Sequence, residues 1–438
     1  MKGDFSRFTF DHTKRYQRVL EQQGRVHLDA DWNEQVAILL ERLETLSSDL
    51  IGPFGGPTHA CGFVISPNGK KNDFNIGKGR YYVDGVSCEN DDDSVTYLSQ
   101  PFEPAKKNLD GGGLIYLDVW EDYVNAIEDE DILEKGLGGL DTAGRSKIFW
   151  QVLTLPFADP FFDGPEDAKP ESIIKNWPKF AAHFQPPNRG HLSVRLSPGE
   201  SVETGPCIVS PTSRYRGAEN QLYRIEIHHG GTSEKATFKW SRENGSVVFA
   251  IASGHGKTFN LQNQWNDPTL GLEIDDWVEL VDDATRSPGH PGPLLQVKSV
   301  PSKSQITVDQ DIPEIKNSPH STKASVRTPY LRRWDQKGLV NGADKIVENA
   351  WLPCENGIEF RFEHAPEPGI SSYRTGDYWY VPVRTANNGE ILVSGKRQPD
   401  GIVHHYAPLA TMVVSGGIVS NVDTTCLKKF DPFPAAKA

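Results

Sequence analysis

The chain has 438 residues, too long for one hydrophobic core, since cores stop growing near ~250–300 residues, so several packed units are expected. Its 46 basic and 59 acidic residues leave a formal net charge of −13, a field that repels nucleic acid and anionic lipid rather than gathering them. Forty Gly, 31 Pro and 10% aromatic residues, against two Met, describe a turn-rich β protein anchored by ring side chains, with helix in the minority.

The opening MKGDFSRFTFDHTKRY is polar where a secretory leader needs an apolar centre, and no stretch approaches the ~18 apolar residues of a spanning helix. Folding in the cytoplasm is the expectation. HTKRYQRVLEQQ places Tyr16, Val19 and Leu20 on one side and Gly24 at its end, which predicts a short helix. A long one follows. Trp32, Val36, Leu39, Leu40, Leu43, Leu46 and Leu50 recur at helical spacing, Asp31 and Glu34 fit a capping box, and Gly52-Pro53 stops the run. Residues 1–55 are thus expected to form a helical arm whose face of Trp32, Val36, Leu39, Leu43 and Leu46 binds a partner, the alternative being that the helix packs on its own β domain.

After GPFGGP the period changes from helical to alternating. GRYYVDGVSC, SVTYLS, GLIYLDVWEDYV, KIFWQVLTL, HLSVRLS, LYRIEIHH, ATFKWS and GSVVFAIA read as strands, followed by DWVELVDD, LLQVKSVP, QITVDQ, GIEFRFE, DYWYVPV, EILVSG and APLATMVVSG. Short, frequent strands without helices between them predict a mainly β fold of several antiparallel β-sandwich or barrel-like modules. The expected blocks are a β domain over 56–200, with a long loop-like insert near 157–189, a second over 201–330 and a third over 331–438. No fixed repeat period emerges, which argues against a propeller or solenoid.

Chemistry-bearing patterns are sparse. DADWNE imitates the first half of a calcium loop, but Glu34 stands where that loop needs Gly and Leu40 where it needs a bidentate Glu. Cys61, Cys88, Cys207, Cys354 and Cys426 are dispersed without a CxxC pair, and His228-His229 and His404-His405 are strand neighbours that point to opposite faces. No metal and no cofactor is expected. GxSxG is absent, and Glu355, Glu359 and Glu363 are the sort of carboxylate set that any acidic chain contains by chance. Trp120, Trp150, Trp240 and Trp379 lie inside strands and are expected to pack, whereas Trp32, Trp265 and Trp334 sit nearer turns and are better placed for partners. One polar cluster stands out: Arg216, Glu219, Asn220, Arg224, Lys239, Arg242, Glu243 and Asn244 alternate with apolar residues. That spacing predicts charged pairs laddered across one sheet face, with Asn244-Gly245 as a hairpin turn.

Taken in order, QQGRVHLDADWNEQ, YLDVWEDYV, LGGLDTAGRSKIFWQV, YRGAENQLYRIEIH, TFKWSRENGSVV, LGLEIDDWVELVDD, YRTGDYWYVPVR and HHYAPLA resemble an uncharacterised bacterial family. Its members are often encoded beside contractile injection systems, phage-tail-like machines that drive a tube through a membrane. The likeness runs from about residue 1 to about residue 430, with the insert at 157–189 as the visible departure. It implies a non-enzymatic particle component, baseplate-associated or peripheral. Its implied partners are other injection-system subunits, baseplate or sheath, and further copies of the chain, with no nucleic acid and only indirect membrane contact. Such a particle either stays in the cytoplasm, with or without membrane association, or is released by lysis. The rival expectation is a tail-spike-like glycan-binding protein or glycoside hydrolase; an effector carried by the particle is a weaker third, since no catalytic constellation appears.

Overall fold

The computed structural model describes the chain except residues 103–107, 187–189, 198–214, 266, 283–290, 317–328, 338–342, 365–371, 386–388 and 432–438. Strands account for 43% of residues and helix for 14%, which makes the fold mainly β, and the sheets are curled and antiparallel apart from the parallel pair Phe54–Pro57 with Lys429–Phe430. Two compact units are each assembled from separated stretches, where the sequence reading divides the chain into consecutive blocks. The arm unit comprises Thr9–Asp122, Ser146–Pro186 and Val403–Ala438, and the barrel unit Met1–Phe8, Tyr123–Arg145 and Pro187–Ile402.

In the arm unit, one sheet runs Lys429–Phe430, Phe54–Pro57, Gly79–Val83, Val86–Asn90, and another runs Ile418–Asp423, His404–Ser415, Gly113–Val124, Arg145–Pro156. Their apolar faces, with Phe54, Phe63, Phe74, Tyr81, Leu117, Trp150 and Leu409, close one core. The insert read as loop-like near 157–189 is corrected: it contains helices α2 (Pro170–Lys175) and α3 (Trp177–Phe184). Ile173, Trp177 and Phe180 are buried, and the Trp177 indole N–H donates to the Tyr406 carbonyl at 2.9 Å. Two prolines at helix starts, where the missing N–H costs nothing, explain how so Pro-rich a segment is helical.

In the barrel unit, Val248–Leu261, Gln305–Lys316, Leu294–Ser302, Trp277–Val281 and Tyr330–Trp334 close a five-stranded barrel in that order. A five-stranded sheet orders Asp344–Lys345, Thr237–Ser241, Leu222–His229, Tyr378–Arg384 and Glu390–Ile391, and His191–Leu196 pairs with Ile358–Glu363. Asn244-Gly245 does turn, with both residues at positive φ (51° and 65°). It is not a hairpin. The strand before it pairs with Leu222–His229 and the strand after it belongs to the barrel, so the turn hands the chain from sheet to barrel.

Candidate functional site

The long helix, α1, spans Asp29–Ile51. The predicted capping box is corrected: the N-cap is Leu28, without a side-chain bond, and Glu34 accepts instead from the Thr9 hydroxyl. Asp29 and Asp31 still place negative charge against the helix N-terminus. The shorter helix expected at 12–23 is reduced to one 3-10 turn, His12–Lys14. The rest of that segment runs extended along α1, tied by Val19 N–H to Gln35 Oε1 at 2.8 Å and by Arg42 Nη2 to Gln17 Oε1 at 2.7 Å. An isolated helix this short is marginal, and these side-chain ties hold an extended chain instead.

Which face α1 buries is the central observation. Ala30 and Ile38 are buried, and Glu34, Ala37, Glu44, Ser48 and Ile51 are half-buried. The seat is the turn Asp84-Gly85, where φ values of 50° and 88° mark a type I′ hairpin and a side chain on Gly85 would strike the Glu44 carbonyl at 2.1 Å. Burial raises the Glu44 carboxyl above its usual range, against the opposing charge of His405. The face read as partner-binding lies on the other side: Trp32, Val36, Leu39, Leu43 and Leu46 are 40–71% exposed, as are Leu40 and Leu50. The helix therefore carries its mixed face inward and its apolar face in solvent, the reverse of the usual arrangement.

The barrel unit is opposite in kind. Of the polar cluster, Arg224, Lys239 and Asn244 converge and are buried. Arg224 donates from Nε to Glu226 at 2.6 Å and lies 3.6 Å from the Tyr378 ring centroid; Lys239 reaches Glu279 at 2.7 Å, Glu226 at 3.3 Å and the Trp334 ring at 4.3 Å. Lys2 joins at 3.2 Å from Glu226, and the Met1 ammonium donates to the Tyr378 and Tyr380 hydroxyls at 2.7 and 2.6 Å. Asn244 donates to the carbonyls of Met1 and Gly3. Burial alone would raise the carboxyls of Glu226 and Glu279, but Lys2, Arg224 and Lys239 hold Glu226 well below its usual range. Lys239 and Lys2 bring Glu279 down to about 2. Burial, with Lys239 beside it, lowers His228 to about 3, and burial lowers Lys2 to about 8.

The other members of the cluster lie elsewhere. Arg242 makes a two-pronged bond to Glu355, both arms 2.8 Å. Glu219 is exposed and accepts from Thr385, and Arg216 and Asn220 are exposed. Glu226, Glu279 and Lys2 were missed by the sequence reading; alternation along LYRIEIHH, two residues from Arg224 to Glu226, is the one signal that marks any of them. Trp334, expected at a partner surface, is corrected: it is fully buried and donates to Glu279 at 2.8 Å.

A cleft of about 500 Å³ in this unit is lined by Lys2, Asp4, Tyr123, Asp141, Glu243 and Trp265 among others. Burial raises the Glu243 carboxyl, opposed by a Gln221 hydrogen bond and aided by the charges of Asp335 and Asp4. Among the described residues no three His, Cys, Asp or Glu side chains gather as metal ligands, and no helix is long and apolar enough to cross a membrane.

Comparison with family descriptions matches residues 1–160 and 179–428 to a family of unknown function, DUF6519. The chain belongs to the DUF6519 family. The DUF6519 match omits 161–178, inside the insert that stood apart in the sequence and at the place where α2 and the start of α3 dock. No curated protein and no solved structure matches the chain.

Proposed function

We propose that this DUF6519 protein is a non-enzymatic structural subunit that assembles through α1 and its flanking arm. Following the resemblance set out above, its setting is the baseplate or periphery of a phage-tail-like contractile injection system. The reversed helix carries this reading. One Trp and six aliphatic side chains left 40–71% exposed represent roughly 700 Å² of apolar surface, on the order of 17 kcal/mol at ~25 cal/mol per Å² before association costs. Single exposed leucines need no explanation, but a continuous stripe of this kind marks an interaction site. The test is to replace Leu39 and Leu43 together by Gln and image assembled particles by electron cryomicroscopy. Loss of this subunit from otherwise normal particles is expected; unchanged occupancy would sink the reading.

A second reading rests on the cleft. Trp265 and Tyr123 offer ring faces, and Asp4, Asp141 and Glu243 offer carboxylates, the lining a glycan site requires. A glycan screen decides it: binding lost on Trp265→Ala supports a lectin, and turnover lost on Glu243→Gln supports a hydrolase.

A further inference from the structure

The exposed residues of α1 are spaced with a regularity that a general adhesive patch does not need. Trp32, Val36, Leu39, Leu43, Leu46 and Leu50 follow one another at intervals of four, three, four, three and four residues. This is an unbroken heptad seam, with Val36, Leu43 and Leu50 at the first position and Trp32, Leu39 and Leu46 at the fourth. All six side chains are exposed, while Ala30 and Ile38 face the protein's own sheet from the far side of the helix. A seam with this period is shaped for another helix that carries the same period.

From this geometry we infer that the occupant is a second copy of this chain, joined as a parallel two-stranded coiled coil of two α1 helices. The inference rests on the reading of α1 as an assembly element. Charge chooses the orientation. In a parallel pair Arg42 beside the seam meets Ser47 of the other helix and Gln35 meets Leu40, so no like charges oppose. An antiparallel pair that keeps all six layers sets Arg42 against its own counterpart, a repulsion across the seam. Glu41, Glu44 and Ser48 lie away from the seam in either case. The roughly 700 Å² of apolar surface on α1 approaches the ~800 Å² per partner of a standard stable interface. Tyr16 and Leu20, exposed beside the residues tied to Gln35 and Arg42, and Val26 and Leu28, exposed ahead of the helix, are placed to extend it.

The test uses the purified full-length chain in sedimentation equilibrium across micromolar concentrations. A dimer is expected. Leu39→Gln with Leu43→Gln should give a monomer with unchanged circular dichroism, which melts as wild type does when diluted below its dimer dissociation constant, because both positions are solvent-exposed in the single chain. Ser47→Glu places a carboxylate opposite Arg42 twice per parallel dimer, and should tighten it about three-fold at ~0.3 kcal/mol per exposed pair. Glu41→Lys, away from the seam, should change nothing. A monomeric wild-type chain, a dimer that survives the double substitution, or a Ser47→Glu chain no tighter than wild type would each overturn the inference. Failure here is separable from failure of the proposed function. A monomeric chain whose Leu39/Leu43 variant still drops out of particles keeps the assembly role and assigns the seam to another protein. A seam-dependent dimer whose variant still assembles normally keeps the coiled coil and removes the role.

Discussion

The barrel unit buries Arg224 and Lys239 with Glu226 and Glu279 and half-buries Lys2 beside them, whereas α1 of the arm unit turns Glu34 and Glu44 inward and leaves Trp32, Leu39, Leu43 and Leu46 in solvent. Both depart from the rule that charge goes outside and apolar surface inside, for different reasons. Each buried charge is matched in place: two carboxylates are shared by three cations within 3.3 Å, and the rings of Tyr378 and Trp334 cover Arg224 and Lys239. Such a cluster stabilises little against an apolar substitute, but it penalises any strand register that separates its members. The exposed seam has no such internal match. A defect in the first should appear in the folding of the isolated chain, and a defect in the second only when copies or partners meet.

The sharpest break of that contrast is Glu226→Gln. It leaves Lys2, Arg224 and Lys239 with Glu279 as their remaining carboxylate, and should cost about 3–5 kcal/mol of unfolding free energy in a denaturant titration. Next is Gly85→Val, which adds a branched side chain at φ +88° against the Glu44 backbone. A loss of about 2–3 kcal/mol is expected, together with faster proteolysis of α1.

Acid gives a third handle. His228 is held near 3 in the fold against an ordinary value of ~6.5. The unfolded chain therefore binds the proton first, and stability is complete above ~6.5 and falls as pH drops toward 3. Glu279, lowered to about 2, has the same sign, so its share is present above ~4.5 and disappears as pH falls from there toward 2. His228→Gln should flatten the upper part of that slope in melting curves taken from pH 7 to pH 4. The smallest expected effect is on the other side of the comparison. Leu39→Gln with Leu43→Gln should move the unfolding free energy of the chain, measured at concentrations too low for association, by no more than ~0.5 kcal/mol.

Helix α1 was legible because a seven-residue apolar pattern is local information, and the alternating strands were legible for the same reason. What failed depended on partners distant in sequence. The segment at 12–23 has the residues of a helix, yet the contacts of its Val19 and Gln17 with Gln35 and Arg42 of α1 favour an extended path. Asn244-Gly245 announces a turn, but whether its flanking strands pair with each other is decided by Leu222–His229 and the barrel strands. Arg224 and Lys239 were visible as charged strand residues. Their meeting with Lys2 and Glu279, more than two hundred residues before Arg224 in one case and forty after Lys239 in the other, leaves no trace in spacing. Trp334 looked like a surface ring because it precedes a polar stretch, and its indole bond to Glu279 is tertiary.

The strand His404–Ser415 sits between Gly113–Val124 and Ile418–Asp423 and pairs with both. That sheet therefore cannot close until a strand about 280 residues after Gly113–Val124 has been made, and until then Gly113–Val124 has one open edge. A chain truncated before His404 is expected to aggregate through that edge, which light scattering of the fragment would check.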